Sequence, residues 1–277
     1  MIKKNLKVIS WNINSIRIRL EQLKKIVEEL DPDIICLQET KCENDKFPLA
    51  SVQDLGYKYV VHRGQASYNG VAIISRIKFT SLIEKNFCDK NDCRYSGAEF
   101  SLGVKNKSLK LHNFYVPAGG DEPDTNINPK FKHKLDFLDE MQVYLKDQVA
   151  DNQYHVMVGD MNIAPHENDV WSDKQLRNVV SHTDIERSKI LEIISTQNFC
   201  DVLRHFADED EKVYSWWSYR NRDWKKSNRG RRLDHIWVTD NLLKFYMEHH
   251  IFQIARDFER PSDHVPISID LLIKDIS

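Results

Sequence analysis

Leu6-Lys7-Val8-Ile9-Ser10-Trp11-Asn12 and Ile34-Ile35-Cys36-Leu37-Gln38-Glu39 are two apolar runs that each finish on a polar residue. Between them Leu20, Leu23, Ile26, Val27 and Leu30 recur at helical spacing, which predicts an amphipathic helix over roughly residues 17–30. Asp31-Pro32-Asp33 ends it. Strand, helix and strand in this order imply a β-α-β unit with a parallel pair and a right-handed crossover. Asn12 and Glu39 then lie side by side at the carboxyl ends of two strands, where open α/β sheets build their sites.

The pattern repeats further along. A short helix is expected near residues 46–54, then strands at Tyr57–His62 and, after a turn at Tyr68-Asn69-Gly70, at Val71–Ser75. Gly97–Val104 and Ser108–Val116 follow without long helices between them, which implies antiparallel pairing. The second of these runs through Tyr115 into the loop Pro117-Ala118-Gly119-Gly120, so Tyr115 is either a buried aromatic or part of a site rim. Residues 130–150 read as a long helix with Phe131, Leu135, Leu138, Met141 and Leu145 on one face. His155–Asp160 is another strand closing on a carboxylate, and the period of two turns Asp160 and Asn162 one way and Met161 the other.

Residues 166–186 are polar around Trp171 and predict an ordered loop with short helical pieces, followed by a helix at 187–197. Leu233–Val238 is a strand with Asp234 near its start, and residues 247–254 and 265–271 complete the sheets. In Arg260-Pro261-Ser262-Asp263-His264-Val265-Pro266 the two prolines fix the loop and aim Asp263 and His264. No repeat or linker divides residues 1–277, so the expected fold is one α/β domain, a sandwich of two mixed β-sheets flanked by helices.

Composition narrows the function classes. A hydrophobic content of 41% supplies a sizeable core, and a net charge of −2 gives no global attraction to nucleic acid. Any such contact must use a local patch, and Tyr214–Arg232 is the dense one, interleaving Trp216, Trp217, Tyr219 and Trp224 with Arg220, Arg222, Arg229, Arg231 and Arg232. It reads either as a solvated loop or as a surface that grips phosphates and wedges aromatics against bases or sugars. The cysteines Cys36, Cys42, Cys88, Cys93 and Cys200 lack zinc-site spacing. The first strand starts almost at once, and no apolar run is long enough to span a bilayer, so a cytoplasmic protein with reduced thiols is expected, and a monomer because nothing resembles a dimerisation helix.

The polar strand ends are Asn12, Glu39, Tyr115, Asp160, Asn162, Asp234, Asp263 and His264. Carboxylates and amide oxygens are hard ligands that suit Mg²⁺ or Mn²⁺. A carboxylate beside such an ion can deprotonate water, and an imidazole fixed by a second carboxylate can stabilise charge on phosphoryl oxygens. These residue types point to metal-assisted phosphoester hydrolysis, and spacing alone leaves the substrate open.

Ser10-Trp11-Asn12-Ile13-Asn14, Leu37-Gln38-Glu39-Thr40-Lys41, Asn69-Gly70-Val71-Ala72-Ile73, Asn113-Phe114-Tyr115-Val116-Pro117, Gly159-Asp160-Met161-Asn162-Ile163-Ala164-Pro165, Arg232-Leu233-Asp234 and Ser262-Asp263-His264 occur in the order seen in the exonuclease III family. That family is a branch of the endonuclease/exonuclease/phosphatase superfamily, and the resemblance runs from Val8 to Leu271. It implies a four-layer α/β sandwich and a Mg²⁺-dependent enzyme, with Mn²⁺ able to substitute. The implied activity cuts duplex DNA 5′ to abasic sites, with 3′→5′ exonuclease and 3′-end cleaning. Carried over by motif, Glu39 is the principal metal ligand with Asn12 and Asp263 nearby. Asp160 orients and activates water, and Asn162 binds the scissile phosphate. Asp160, Asn162 and His264 also border the metal. His264 contacts the phosphate and is held by Asp234, and Tyr115 sits at the phosphate or assists the leaving group. Tyr115, Asp160 and His264 all stand as candidates for the base.

Three positions depart from the family pattern. Asn14 and Ala118 replace residues that in some members help hold metal or touch phosphate, and Arg231 stands where some members carry a Trp lining an abasic-sugar pocket. Trp216 and Leu233 remain to line that pocket, and Arg229 and Arg231 to hold phosphates. The other readings are a phosphatase or phosphodiesterase acting on a small phosphate ester, and a DNA-binding module without catalysis.

Overall fold

The computed structural model describes residues 5–102, 107–221, 223–273 and 276. In chain order the strands are β1 (Leu6–Asn12), β2 (Ile34–Gln38), β3 (Tyr59–Gln65), β4 (Tyr68–Ser75) and β5 (Ser81–Ile83). Next come β6 (Tyr95–Ser101), β7 (Ser108–Tyr115), β8 (Tyr154–Asp160), β9 (Phe199–Asp201) and β10 (Trp216–Trp217). The last are β11 (Gly230–Arg231), β12 (Asp234–Thr239), β13 (Tyr246–Ile251) and β14 (Ile267–Leu271). One six-stranded sheet has the order β13-β14-β1-β2-β4-β3 and the other β5-β6-β7-β8-β12-β9, while β10 and β11 form a separate ribbon.

Each sheet is antiparallel except for one central parallel pair, β1–β2 and β7–β8. The crossovers contain the helices Leu20–Leu30 and Pro129–Val149, the two helices that the apolar spacing predicted. Leu6 and Val8, Ile34 and Cys36, Val156 and Val158, Ile236 and Val238, and Ile267 and Ile269 all meet in one core between the sheets. Their neighbours Ile9, Ile35 and Leu37 pack outward beneath the helix Leu20–Leu30. Met157 and Trp237 pack outward beneath Pro129–Val149 and Asp184–Thr196. Strands buried on both faces between helices give the expected four layers.

Several boundaries differ from the sequence reading. The first helix begins at Leu20, and the short one at Leu49 after Pro48, preceded by a single 3₁₀ turn at Asn44–Lys46. Tyr68-Asn69-Gly70 lies within β4, and the chain reverses at Ala66-Ser67 instead. A shift in register between Arg63 and Gln65 carries β3 further than expected, and a Cβ at Gly64 would sit 2.0 Å from the Cys42 carbonyl oxygen. The helix expected at 187–197 begins at Asp184, because Thr183 and Glu186 cap each other. Strands β5 and β9 are three residues each, too short for alternation to reveal. Val104, the expected end of β6, and Arg222 of the basic-aromatic stretch lie outside the described residues.

The same alternation that builds the inter-sheet core delivers the site. Asn12 shares the parity of Leu6 and Val8, Tyr115 that of Leu109 and Leu111, Asp160 that of Val156 and Val158, and Asp234 that of Ile236 and Val238. All four therefore point into the gap between the sheets where the apolar filling stops. Asp234 pairs directly with Asp160, and Tyr115 with Asp160 on the other side. Gln38 and Asn113 form a polar floor: the Gln38 amide donates to Asn113 Oδ1 at 2.7 Å, and Asn113 donates to the carbonyls of Leu37 and Ala72 in the opposite sheet.

Candidate active site

The hydrogen bonds at this edge form one continuous set. His264 Nδ1 lies 2.8 Å from Asp234 Oδ2, which also accepts the Ser215 hydroxyl at 2.6 Å. Ser215 Oγ in turn accepts the backbone amides of Leu233 and Asp234, so the carboxylate is fixed from two sides. The Asn12 amide nitrogen donates to Glu39 Oε1 at 3.0 Å and to Asp160 Oδ2 at 2.9 Å, and lies 3.3 Å from His264 Nε2. Tyr115 donates its hydroxyl to Glu39 Oε1 at 2.9 Å. Asn162 donates from Nδ2 to Asp160 Oδ2 and to the Val116 carbonyl, and from its backbone to Asp160 Oδ1.

Asp263 sits at the rim of this set. Its two oxygens accept the Asn14 amide at 3.0 Å and Trp216 Nε1 at 3.0 Å. Asn14 Oδ1 accepts Lys41 Nζ, which is paired with Glu39 Oε2 at 2.6 Å. An amide fits at position 14 because it must donate to one neighbour and accept from another; a carboxylate there would face Asp263. Glu39, Asn14 and Asn162 all have positive φ, at 51°, 48° and 51°. Each turns its side chain into the site just beyond regular strand, a conformation that costs non-glycine residues on the order of 1 kcal/mol.

Asp160, Asp234 and His264 are 1%, 0% and 4% exposed, so their charges interact with little screening. Burial works against a charge on His264, but the Asp234 and Asp160 carboxylates outweigh it and raise its pKa. Burial raises Asp160 above the usual carboxylate range, against the pull of His264. Burial also acts on Glu39, yet Lys41 and the Asn12 amide more than offset it and keep Glu39 ionised. The site thus separates a firmly anionic Glu39 from an Asp160 poised nearer neutrality, the division of labour that a ligand and a proton acceptor need.

Oxygens of Asp160 and Asp234 and a ring nitrogen of His264 lie within 4.8 Å of one another, and Asp234 Oδ1 is buried without a hydrogen-bond partner. With Glu39, Asp263 and the amide oxygens alongside, the donor set is dominated by hard oxygens and fits a divalent cation of the Mg²⁺, Mn²⁺ or Ca²⁺ kind.

Beside Asp263 opens a cavity of about 520 Å³ whose lining includes Trp171, Trp216, Arg220, Arg229 and Arg231. Arg229 stacks on Trp171 and Arg231 on Trp216, with guanidinium carbons 4.6 and 5.4 Å from the ring centres. The β10–β11 ribbon pairs Trp216 with Arg231 and so fixes this wall. Leu233 does not line the cavity; it is buried below it, in the cluster that packs under Trp216. Ser215, Lys41 and Trp171 also shape the site, although the sequence reading assigned them no role. Lys41 closes the Leu37–Lys41 motif, but nothing in spacing ties Ser215 to Asp234.

The endonuclease/exonuclease/phosphatase family model matches residues 9–264. Exodeoxyribonuclease III of Haemophilus influenzae is 31% identical over 95% of this chain and 98% of its own length. Among solved structures, an AP endonuclease from Archaeoglobus fulgidus superposes with a TM-score of 0.85 at 32% identity, covering 96% of this chain and 99% of the other. The 3′ phosphatase NExo from Neisseria, bound to a product DNA hairpin, gives 0.86 at 28% identity with the same two coverages. The motifs that build the Asn12–Glu39–Asp160–Asp234–His264 cluster fall within these matches, and the chain belongs to the endonuclease/exonuclease/phosphatase family.

Proposed function

We propose that the protein is a DNA-repair nuclease that hydrolyses phosphodiester bonds of duplex DNA 5′ to abasic sites, with 3′→5′ exonuclease and 3′-end-cleaning activity. The observation that carries this reading is the joining of a carboxylate–imidazole hydrolytic cluster to an arginine–tryptophan cavity through the Trp216–Asp263 hydrogen bond. A phosphoester chemistry beside a surface for phosphates and flat rings suits a nucleic acid better than a small phosphate ester. The relatives named as exodeoxyribonuclease III, AP endonuclease and 3′ phosphatase support it. Mg²⁺ is the proposed cofactor, with Mn²⁺ able to substitute, and the working form is a cytoplasmic monomer. Among the described residues no helix is long and apolar enough to cross a membrane.

Glu39 would hold the cation, with Asn12 and Asp263 beside it and Asp160, Asn162 and His264 on its border. When bound, the ion supplies charge neutralisation at a phosphoryl oxygen. Asp160 takes a proton from the attacking water as the water oxygen bonds to phosphorus; the bond to the 3′ oxygen breaks, and that oxygen takes a proton from solvent to leave as a 3′ hydroxyl. Its raised pKa makes it a better acceptor than an ordinary carboxylate. Asn162, tied here to Asp160 and Val116, would turn an Nδ2–H from Asp160 to the scissile phosphate. His264 is protonated because the Asp234 and Asp160 carboxylates raise its pKa, and it offers Nε2–H to a phosphoryl oxygen while Nδ1–H stays with Asp234. Tyr115 steadies Glu39 and faces the same gap.

The test is an end-labelled duplex with one synthetic abasic site, run beside an undamaged duplex, each with Mg²⁺ and with chelator. One Mg²⁺-dependent cut immediately 5′ to the lesion is expected. A 3′ ladder on both duplexes would make exonuclease the main activity. No cleavage with Mg²⁺ or Mn²⁺ would overturn the nuclease reading in favour of small phosphate esters.

A further inference from the structure

Lys134 lies on the helix Pro129–Val149 among apolar residues and is fully buried. Its ammonium lies 2.5 Å from Glu186 Oε1, and it donates to the carbonyl oxygens of Asn162 at 2.8 Å and Ala118 at 3.3 Å. These three partners use all three of its protons. Glu186 also accepts the backbone amides of Ser181 and Thr183 and the Thr183 hydroxyl. On the far side of that turn, Ser181 Oγ and the Val180 carbonyl accept Arg231 Nη1 at 2.7 and 3.2 Å. One buried pair thus joins the segments after β7 and β8 to the turn that holds the cavity wall.

A buried ion pair is weak evidence for stability, since apolar replacements are often neutral or better. Its contacts instead suggest a geometric task. Asn162 has left-handed backbone, and its carbonyl is held by Lys134 while its side chain reaches Asp160. Gly119 leaves room for this, because a Cβ there would sit 2.9 Å from Lys134 Cδ.

We propose that Lys134 is a positioning residue for the reaction: through its bond to the Asn162 carbonyl it sets the Asn162–Asp160 geometry, and through Glu186 it keys that geometry to the turn that holds Arg231. The proposal rests on the assignment of Asn162 to the scissile phosphate.

The double variant K134M/E186Q removes both charges and leaves an acceptor for the Ser181 and Thr183 amides. It is expected to melt near the wild type and to bind duplex in chelator within about three-fold, while kcat falls about 100-fold. In metal-free protein, hydrogen exchange of the amides at 161–164 is expected to rise about ten-fold. K134Q/E186Q returns an N–H donor and is expected to recover about ten-fold in kcat. A K134M/E186Q protein that melts near the wild type and keeps wild-type kcat would show that the pair does not position the site and would overturn the proposal. Should it fail to fold, K134Q/E186Q decides: kcat within about ten-fold of wild type with exchange at 161–164 near wild type supports the proposal, and both lost overturn it. Should the wild type cleave no duplex, the nuclease reading fails, and the exchange comparison alone decides for or against Lys134.

Discussion

Asp234 Oδ2 lies 2.8 Å from His264 Nδ1 and 2.6 Å from the Ser215 hydroxyl, so one carboxylate oxygen orients the imidazole and favours its protonated form. With Nδ1–H committed to Asp234, Nε2 is the free position, and it points at Asn12 and Asp160. Asp234→Asn keeps the shape but removes the charge that sustains the imidazolium, the form that carries Nε2–H while Nδ1–H stays with residue 234. We expect kcat to fall about 10³-fold with the thermal midpoint within a few degrees. Ser215→Ala loses one hydroxyl bond to the same oxygen and is expected to cost about ten-fold. Steady-state cleavage of an abasic duplex, with melting curves beside it, checks the order. Equal losses in the two variants would contradict the assignment of the Asp234 charge to sustaining the imidazolium.

Glu39 and Asp160 share the Asn12 amide but have different tasks, and single substitutions separate chemistry from binding. Glu39→Ala and Asp160→Asn should each lower turnover by about 10³-fold or more. Duplex affinity in chelator should hold or improve, because each change removes a negative charge near a polyanion. Filter binding or anisotropy set against cleavage rates measures both. Unchanged turnover in either variant would discard that residue's role.

The cavity wall predicts a salt signature. Arg229 stacks on Trp171 with its guanidinium at the mouth of the cavity, where it can release a counterion on phosphate contact. Arg229→Ala should reduce the slope of log affinity against log salt by about 0.9. Leu233→Ala acts differently: Leu233 is buried, so the change should cost about 2–5 kcal/mol of stability and leave the salt slope alone. Duplex titrations over a range of salt concentrations distinguish a phosphate contact from a packing residue.

The β-α-β periodicity made both sheets legible, because strands buried on two faces read as apolar runs and their helices show a single apolar stripe. It also placed Asn12, Tyr115, Asp160 and Asp234 at one edge, since parity along a strand is fixed. The apolar run places Glu39 at the strand terminus, whereas β2 stops at Gln38 and Glu39 enters the site by a left-handed turn. Parity alone would have aimed it outward with Leu37. Lys134 was invisible for another reason. A lysine within an amphipathic helix reads as solvated, and only the tertiary structure shows that the carbonyls of Ala118 and Asn162 and the Glu186 carboxylate surround it. For Leu233 the motif gives no sign of its packing, because only the tertiary structure shows it buried in the cluster against which Trp216 packs.

His62 gives the pH dependence a sign and a window. Burial lowers its pKa to about 4, and its Nε2 lies 2.9 Å from the Thr40 hydroxyl, next to Glu39. The unfolded chain binds a proton near pH 6.5, while the folded protein resists it until about pH 4. The stabilising contribution is therefore present above pH 6.5 and is lost as pH falls from there through the folded value. Asp160, raised by burial, acts with the opposite sign in the same range, so the total slope is not diagnostic. His62→Gln keeps a polar partner for Thr40 and cannot titrate, and the Asp160 contribution is common to both proteins. The difference in stability between wild type and variant should change by about one proton's worth of slope across pH 6.5 to 4, with the variant less acid-sensitive. Urea unfolding at half-unit steps of pH measures it. Parallel curves would mean that His62 is protonated in the folded state, and the environment drawn from Thr40 and the stacked Phe47 ring would then be wrong.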